Sequence, residues 1–302
     1  MMNRHILLTG ATGMLGKDLI STLLSRGDRV SILSRKPQQI NGVNVFLWDV
    51  KKQTIDPASM EGIDTIVHLA GENISSGRWT AERKKDIIDS RVESTKLLYK
   101  TLSNASNAVK TFISAAAVGI YGNRGDELLT EESIPGTDFL SECCVRWEAA
   151  ADLMKNLGLK VIKLRTGVVL SKESGALAEM SKPIKMFAGA ALGTGKQWVP
   201  WIHHQDMTEV YIHALDHLQM HGVYNACAPF PVTNITMTKA IAKELHRPVW
   251  PLKVPTAVLT LILGEMGTIV LNSNRTSAEK LCNSGYKFKF THLEPALADI
   301  YN

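Results

Sequence analysis

The sequence predicts an α/β protein with a doubly wound parallel sheet and a smaller, mixed C-terminal lobe. Two observations support this prediction. Over residues 1–170, short apolar runs alternate with segments of helical spacing, the order expected for a parallel sheet covered by helices on both faces. After about residue 170 this alternation ends, so we predict a first domain over 1–170 and a lobe over 171–302.

The individual elements follow from where the apolar residues stand. Strands are predicted where such residues are consecutive, at 6–9, 29–34, 43–48, 65–70, 111–117 and 160–164. Helices are predicted where they recur every three or four positions, at 14–24, 81–102 and 139–152. In the lobe, helix signals fall at 176–187, 206–218, 236–246, 255–271 and 276–283, and strand-like runs at 197–202 and 222–227. The first sheet can therefore receive later strands, from about 197–228.

Composition narrows the class of protein and of partner. The chain has 302 residues, 45% hydrophobic and 21% charged, with a net charge of +5, which is ordinary for a globular protein. The basic run at 83–85 lies between Glu82 and Asp86 and is typical of a solvated helix face, so we predict no nucleic-acid partner. The four cysteines form no CxxC pair and no zinc-like spacing, which predicts no metal site and a reducing, cytoplasmic environment.

Two segments bear on membranes. The N-terminal MMNRH leads straight into an apolar strand and lacks the features of a signal peptide. The most apolar late stretch, 257–271, is short for a membrane span and contains Glu265. It predicts a core or interface helix, which leaves a homodimer open and argues against a membrane partner.

A glycine-rich loop follows the first predicted strand. Residues 7–20 read LLTGATGMLGKDLI, with glycines spaced GxxGxxG at the start of a helix. In this context the first glycine permits a tight turn, the second lets backbone N–H groups approach a pyrophosphate, and the third lets the helix pack close to the sheet. The loop therefore predicts a Rossmann-type dinucleotide site, with contacts from Gly10, Thr12, Gly13, Met14, Leu15 and Gly16.

The second strand predicts which dinucleotide binds. It ends in SILSRK, with Arg35 and no carboxylate where an acidic residue would hold the 2′-hydroxyl of NAD. A cation there favours a 2′-phosphate, so we predict NADP as the cofactor. Asp49, after the third strand, is a candidate partner of the adenine amino group. At the end of the fourth strand, the residues predicted to lie along the pyrophosphate and nicotinamide ribose are Leu69, Ala70 and Gly71.

These motifs together resemble those of the extended short-chain dehydrogenase/reductases, the superfamily of nucleotide-sugar epimerases. The shared landmarks are GATGMLG at 10–16, HLAG at 68–71, AVGIYG at 117–122 and WIHHQD at 201–206. Longer motifs resemble an atypical branch, the bacterial "epimerase family" proteins and their mammalian relatives. They are LAGENISSGRWTAERKKDIIDSRVEST at 69–95, RGDELLTEES at 124–133, FLSECCVRWEAAA at 139–151, and a C-terminal domain of unknown function over 250–298.

The resemblance also shows what the chain lacks. Active members of the superfamily use a tyrosine and a lysine four residues apart on one helix, and a serine at the end of the preceding strand. Alignment on Glu148 places Leu140, Cys144 and Ala116 at these three positions. The catalytic residue is therefore unknown, with Tyr121 and Cys144 as candidates. An apolar stripe favours a packed cysteine over a nucleophile; its members are Leu140, Cys144, Trp147, Ala151 and Met154.

Other polar residues are candidates for the substrate side of the cleft. Lys84 and Arg91 stand seven residues apart on one helix face, where they would bind an anionic substrate or cofactor phosphates, or else face solvent. The further substrate-side candidates are Asn73, Tyr121 and His203, and Asp206 is expected to cap a helix. Two hypotheses remain: an epimerase-like oxidoreductase acting on a small molecule, or an NADP(H)-binding or sensing protein without turnover.

Overall fold

The computed structural model describes residues 4–104 and 106–302. The strands are β1 (His5–Thr9), β2 (Arg29–Ser34), β3 (Val43–Asp49), β4 (Thr54–Ile55), β5 (Thr65–His68), β6 (Thr111–Ala117), β7 (Leu128–Leu129), β8 (Lys160–Thr166), β9 (Val168–Leu170), β10 (Trp198–Val199), β11 (Trp201–His203), β12 (Gly222–Ala226), β13 (Val232–Thr233) and β14 (Arg275–Thr276). The helices are α1 (Met14–Ser25), α2 (Ala81–Asn104), α3 (Phe139–Asp152), α4 (Gly175–Lys185), α5 (His204–Asp216), α6 (Asn234–Glu244), α7 (Thr256–Leu263), α8 (Thr268–Leu271), α9 (Glu279–Asn283) and α10 (Leu293–Tyr301). Short 3₁₀ turns lie at Pro57–Met60, Val118–Tyr121, Leu153–Leu157 and Gly264–Gly267.

One large sheet organises the molecule. Its eight strands stand in the order β12-β8-β6-β5-β1-β2-β3-β4, and every pair is parallel except β3 and β4. The chain moves outward from β1 to β3, then returns to the other side of β1 and continues through β5, β6 and β8. This confirms the predicted doubly wound α/β fold. The reversal between β1 and β5 creates a crevice at the carboxyl ends of these strands, where such folds bind ligands.

Helices cover both faces of this sheet. In β1, Ile6 and Leu8 pack with the α1 and α5 side chains, whereas Leu7 packs with α2 and α3 on the opposite face. Successive strand residues point to opposite faces, so a strand buried on both sides needs this continuous apolar run. Both layers are tightly packed around side chains such as Leu19 and Leu98, which are fully buried.

The C-terminal part of the chain contributes to the sheet and also forms a separate core. β12 pairs with β8, with Gly222 beside Ile162, so a strand from beyond residue 170 completes the large sheet. The lobe core is built around α4, α6 and α10, and Trp201 lies fully buried within it. The parallel pair β9 and β11 leads from the sheet towards this lobe.

Asp206 does not cap α5 as the sequence analysis predicts. The N-terminal cap is His203, whose Nδ1 accepts a hydrogen bond from the N–H of Gln205 at 3.1 Å. Asp206 instead accepts hydrogen bonds from the Tyr286 hydroxyl at 2.9 Å and from the N–H groups of 289 and 290 at 2.8 and 2.9 Å. This buried carboxylate therefore ties the C-terminal segment to α5.

The predicted helix over 255–271 is interrupted. Gly264 has a φ of +60° and separates α7 from a 3₁₀ turn and the short α8, because only glycine adopts this conformation readily. Of the two predicted alternatives, a core helix or an interface helix, α7 does not fit the first, since Leu259 is its one buried residue, while Leu261 is 79% exposed. The interface helix stays a prediction. No helix among the described residues is long and apolar enough to cross a bilayer.

Candidate cofactor site

The glycine loop lies in the crevice between β1 and β5, and two of its glycines are required by the fold itself. Gly10 has a φ of +69°, and a Cβ there would lie 2.8 Å from the carbonyl of Leu69. A Cβ on Gly16 would lie 2.6 Å from the carbonyl oxygen of Gly10. Both distances are shorter than any real contact, so any other residue at these positions would force the backbone to shift, whether or not a ligand binds.

Gly13 differs from its two neighbours. Its φ is −71°, which any residue adopts, and a Cβ there would meet only the Gly10 carbonyl oxygen, at 3.4 Å. Gly13 is also the N-cap of α1, and no side chain among the described residues caps this end. The first N–H groups of α1 are therefore available to an anion. The residues present thus fit a dinucleotide pyrophosphate: the chain itself does not need glycine at 13, but a closely approaching phosphate does. Around this end of α1, Thr12 is exposed and Met14 and Leu15 are half-buried.

A buried hydrogen-bond network supports the β5 side of the crevice. The Thr9 hydroxyl oxygen accepts from the N–H groups of 69 and 70 at 3.2 and 3.1 Å and lies 2.7 Å from His68 Nδ1. The Ser94 hydroxyl donates to the Ser90 carbonyl at 2.7 Å and lies 3.2 Å from His68 Nε2. Burial lowers the pKa of His68 to about 3, so the ring is neutral.

The donors in this network assign the His68 tautomer. Because the Ser94 proton is already donated, Ser94 must accept from His68 Nε2–H, and Nδ1 then accepts from the Thr9 hydroxyl. This arrangement leaves the Thr9 oxygen to hold the backbone after β5, so the β5 strand ends at His68 rather than at 70, where the sequence predicts its end. The sequence does not predict the network, because polar residues inside apolar strands carry no periodic signal.

Arg91 supports the same loop from below. Its guanidinium lies 5.0 Å from the centre of the Trp147 ring, and its Nη2 donates to the Glu72 carbonyl at 3.0 Å. A Cβ on Gly71 would lie 3.1 Å from Arg91 Cζ, so glycine permits this close approach. Arg91 thus contacts the loop at 71–72, where the sequence predicts cofactor contacts.

The substrate-side candidates on and near α2 are engaged separately. Lys84 forms an ion pair with Glu265 of the lobe, so it does not share an anion with Arg91 in this conformation. The Asn73 side chain accepts from the N–H of Ser75 at 2.9 Å and stabilises its own loop.

The ribose-reading residues are placed as follows. Arg35 follows β2, and its side chain is 76% exposed. The end of β2 itself carries no carboxylate, but the fold brings one there from another strand end, because Glu72, 37 residues further on, lies 3.1 Å from Arg35 Nη1. Asp49 accepts hydrogen bonds from the N–H groups of 51 and 52 at 2.9 and 3.0 Å, which shape the turn after β3.

The candidate catalytic residues are both buried. Cys144 is 5% exposed, and burial raises the pKa of its thiol far above the usual range. Tyr121 is fully buried; its hydroxyl donates to Asn225 Oδ1 at 2.7 Å and accepts from Arg165 Nη1 at 2.9 Å, and burial raises its pKa to about 12. These placements do not support either residue as a proton donor near neutral pH.

His203 is likewise occupied within the fold. Its ring is fully buried, stacks 4.1 Å from Phe290, and places Nε2 3.4 Å from Asp299. Burial lowers the pKa of His203 to about 4, so the imidazole is neutral at pH 7. Its hydrogen bond, ring contacts and ion pair are with the start of α5 and with the C-terminal segment. No cluster of potential metal ligands occurs among the described residues.

Alkylation provides a test of how Cys144 is placed. In a Cys143→Ala background, we expect iodoacetamide at neutral pH to modify Cys144 at least about tenfold more slowly than the exposed Cys282, because the Cys144 thiol is buried and protonated. Peptide mass spectrometry over time measures both rates in one sample.

Cys144→Ser should cost about 1 kcal/mol of stability and leave any turnover within a few-fold. Rapid alkylation with a hundredfold rate loss in the serine variant would contradict this.

Comparison with known proteins agrees with the sequence motifs. The model of the NAD dependent epimerase/dehydratase family matches residues 6–227, and a domain of unknown function, DUF1731, matches residues 254–300. The chain is 35% identical to the epimerase family protein YfhF of Bacillus subtilis, over 98% of this chain and 97% of the relative.

Two solved structures extend this similarity to the whole fold. Human epimerase family protein SDR39U1 with NADPH has a TM-score of 0.87 at 30% identity, covering 98% of this chain and 99% of that one. A nucleoside-diphosphate sugar epimerase of Corynebacterium glutamicum has a TM-score of 0.81 at 34% identity, covering 99% of this chain and 58% of the other. The chain therefore belongs to the NAD-dependent epimerase/dehydratase family, in the "epimerase family" branch that its long motifs predict.

Proposed function

We propose that the chain is an NADP(H)-binding, epimerase-like oxidoreductase that acts on a small-molecule substrate. The observation that carries this proposal is the uncapped N-terminus of α1 at Gly13, with the exposed guanidinium of Arg35 at the end of the neighbouring strand. The first feature suits a pyrophosphate and the second a 2′-phosphate. The NADPH in the structure of the human relative supports the same choice.

Each chain residue then has a defined task. The N–H groups of α1 and Arg35 bind the phosphates, and Thr9 and Arg91 hold the loop at 69–72 in position. The bound nicotinamide would supply or accept hydride. Glu265 of the lobe forms an ion pair with Lys84 near the N-terminus of α2. The C-terminal residues therefore border the substrate side of the crevice.

A second function is favoured by the same structure. The positions of the superfamily's tyrosine and lysine hold Leu140 and Cys144, which pack against the turn at Gly119. Cys144 and Tyr121 are both buried with raised pKa values. This supports an NADP(H)-binding or sensing protein without turnover. Single-turnover oxidation of bound NADPH across a panel of aldehydes and ketones separates the two: decay of nicotinamide absorbance with any carbonyl supports the oxidoreductase, and none supports the binding protein.

Cofactor choice tests the Arg35 assignment. We expect NADPH to bind at least about tenfold tighter than NADH, worth about 1.4 kcal/mol, and Arg35→Ala to remove most of this difference. Isothermal titration with both dinucleotides measures it. Arg29→Ala is the matched control, since Arg29 is also exposed but begins the same strand at its opposite end. Equal affinities for NADPH and NADH in the parent protein would refute the NADP assignment.

A further inference from the structure

Arg35 and Glu72 join across the crevice. β2 and β5 are the two neighbours of β1 in the sheet, and Arg35 and Glu72 follow their respective carboxyl ends. The 3.1 Å ion pair between Arg35 Nη1 and Glu72 Oε1 therefore spans the end of β1, where the glycine loop begins. A dinucleotide bound on that loop meets this pair.

The side chain of Glu72 can move away from Arg35, whereas its backbone is held in place. Its N–H donates to Ser90 Oγ at 3.0 Å, and its carbonyl accepts from Arg91 Nη2 at 3.0 Å, so α2 fixes the backbone. The pair with Arg35 is solvent-exposed, and such pairs contribute at most about 1 kcal/mol. A phosphate monoester carries a charge of about −1.5 to −2 and three acceptor oxygens, so it competes well for the same guanidinium.

A second cation, Arg83, lies close to the Glu72 carboxylate. Arg83 Nη1 lies 3.5 Å from Glu72 Oε2, and Arg83 Nη2 is fixed by the Asn73 carbonyl at 2.6 Å. The buried Arg83 Nε has no hydrogen-bond partner among the described residues. Because Glu72 Oε2 already lies beside Arg83 Nη1, a carboxylate released from Arg35 keeps a cation next to it without movement of the backbone.

We propose that Glu72 sets how strongly the site prefers NADPH. Its carboxylate holds Arg35 until a 2′-phosphate displaces it, which lowers the affinity for NADPH, and Arg83 then retains the carboxylate. The inference rests on the proposed NADP(H) function. The resulting site admits NADPH by exchange of one anion for another. Dinucleotides without the 2′-phosphate leave the Arg35–Glu72 pair in place and gain nothing from Arg35.

The test is calorimetric titration of NADPH and NADH into the parent protein and Glu72→Gln. With Arg35 released, NADPH should bind about fivefold tighter, and NADH should change by less than about twofold. Glu93→Gln is the control, because Glu93 on α2 also pairs with a nearby cation, Lys96, and loses the same charge. Unchanged or weaker NADPH binding in Glu72→Gln overturns the proposal. Weaker NADH binding would do so as well, since it would make Glu72 a ligand of the ribose 2′-hydroxyl.

Arg83→Gln tests the second half of the proposal. This substitution should weaken NADPH binding about threefold in the parent protein. It should have no effect in the Glu72→Gln background, because Arg83 acts on cofactor binding only through the Glu72 carboxylate. Equal losses in both backgrounds would contradict the hand-over. If the parent shows no preference for NADPH, the NADP assignment fails and Glu72 loses its role with it. If the preference exists and depends on Arg35, yet Glu72→Gln behaves like Glu93→Gln, only the Glu72 proposal fails.

Discussion

Gly13→Val should weaken NADPH binding by about a hundredfold or more, about 2.8 kcal/mol, while the protein stays folded. The added side chain would project where the backbone N–H groups of α1 are proposed to bind the pyrophosphate, and its Cβ would contact only the Gly10 carbonyl oxygen among the described residues, at 3.4 Å. The φ of −71° suits valine, so the stability cost should not exceed about 1 kcal/mol. Calorimetric titration and thermal unfolding measure the two effects on one sample.

Gly16→Ala should instead lower the stability of the protein, and it therefore serves as the control for Gly13→Val. Its Cβ would lie 2.6 Å from the backbone of the preceding loop, so α1 must move away from β1 and stability should fall by about 1–3 kcal/mol. A Gly13→Val protein that is folded and still binds NADPH like the parent would mean that the glycine loop serves the fold alone.

Arg165→Met should lower stability by about 3–5 kcal/mol. Arg165 is 6% exposed and donates to both carboxylate oxygens of Glu148 at 2.7 and 3.1 Å, and also to the Tyr121 hydroxyl and the Glu131 carbonyl. Its loss removes the arginine donor from these buried acceptors and leaves Lys163 Nζ, 3.3 Å from Glu148 Oε2, as the one remaining cation beside that carboxylate among the described residues. Differential scanning calorimetry should show a fall in Tm of about 5–8 °C for a chain of this size.

Arg146→Met tests whether burial is the cause. Arg146 also pairs with a glutamate on α3, Glu142, but the two side chains are 56% and 52% exposed. Its removal should change stability by no more than about 0.5 kcal/mol. Similar losses in the two variants would show that the buried network around Glu148 contributes no more than a surface ion pair.

The sequence predicts the centre of the large sheet well because strands such as β1 and β5 are buried on both faces. β2 and β6 begin and end at the predicted residues. The short strands β4, β7, β13 and β14 are not predicted, because two paired residues leave no periodic pattern. The break at Gly264 is also missed, since an apolar run on both sides of a glycine is compatible with one continuous helix.

The candidate site is predicted where its residues are contiguous in sequence. The glycine loop is such a case, and Arg35 follows from its place at the end of a strand. The contact between Arg35 and Glu72 joins residues 37 positions apart, and the one between Thr9 and His68 joins residues 59 apart. Such partners become visible only when the sheet places β2, β1 and β5 side by side.

The pairing of β12 with β8 has a consequence for synthesis of the chain. When residues 1–170 have emerged from the ribosome, the nascent chain contains seven of the eight strands of the sheet. It still lacks β12 and the helix α5, which covers α1. At roughly 5–20 residues per second, the open edge of β8 waits several seconds for residue 226. An unpaired strand edge beside uncovered apolar side chains is a site of aggregation, so the nascent chain is prone to aggregate in this interval.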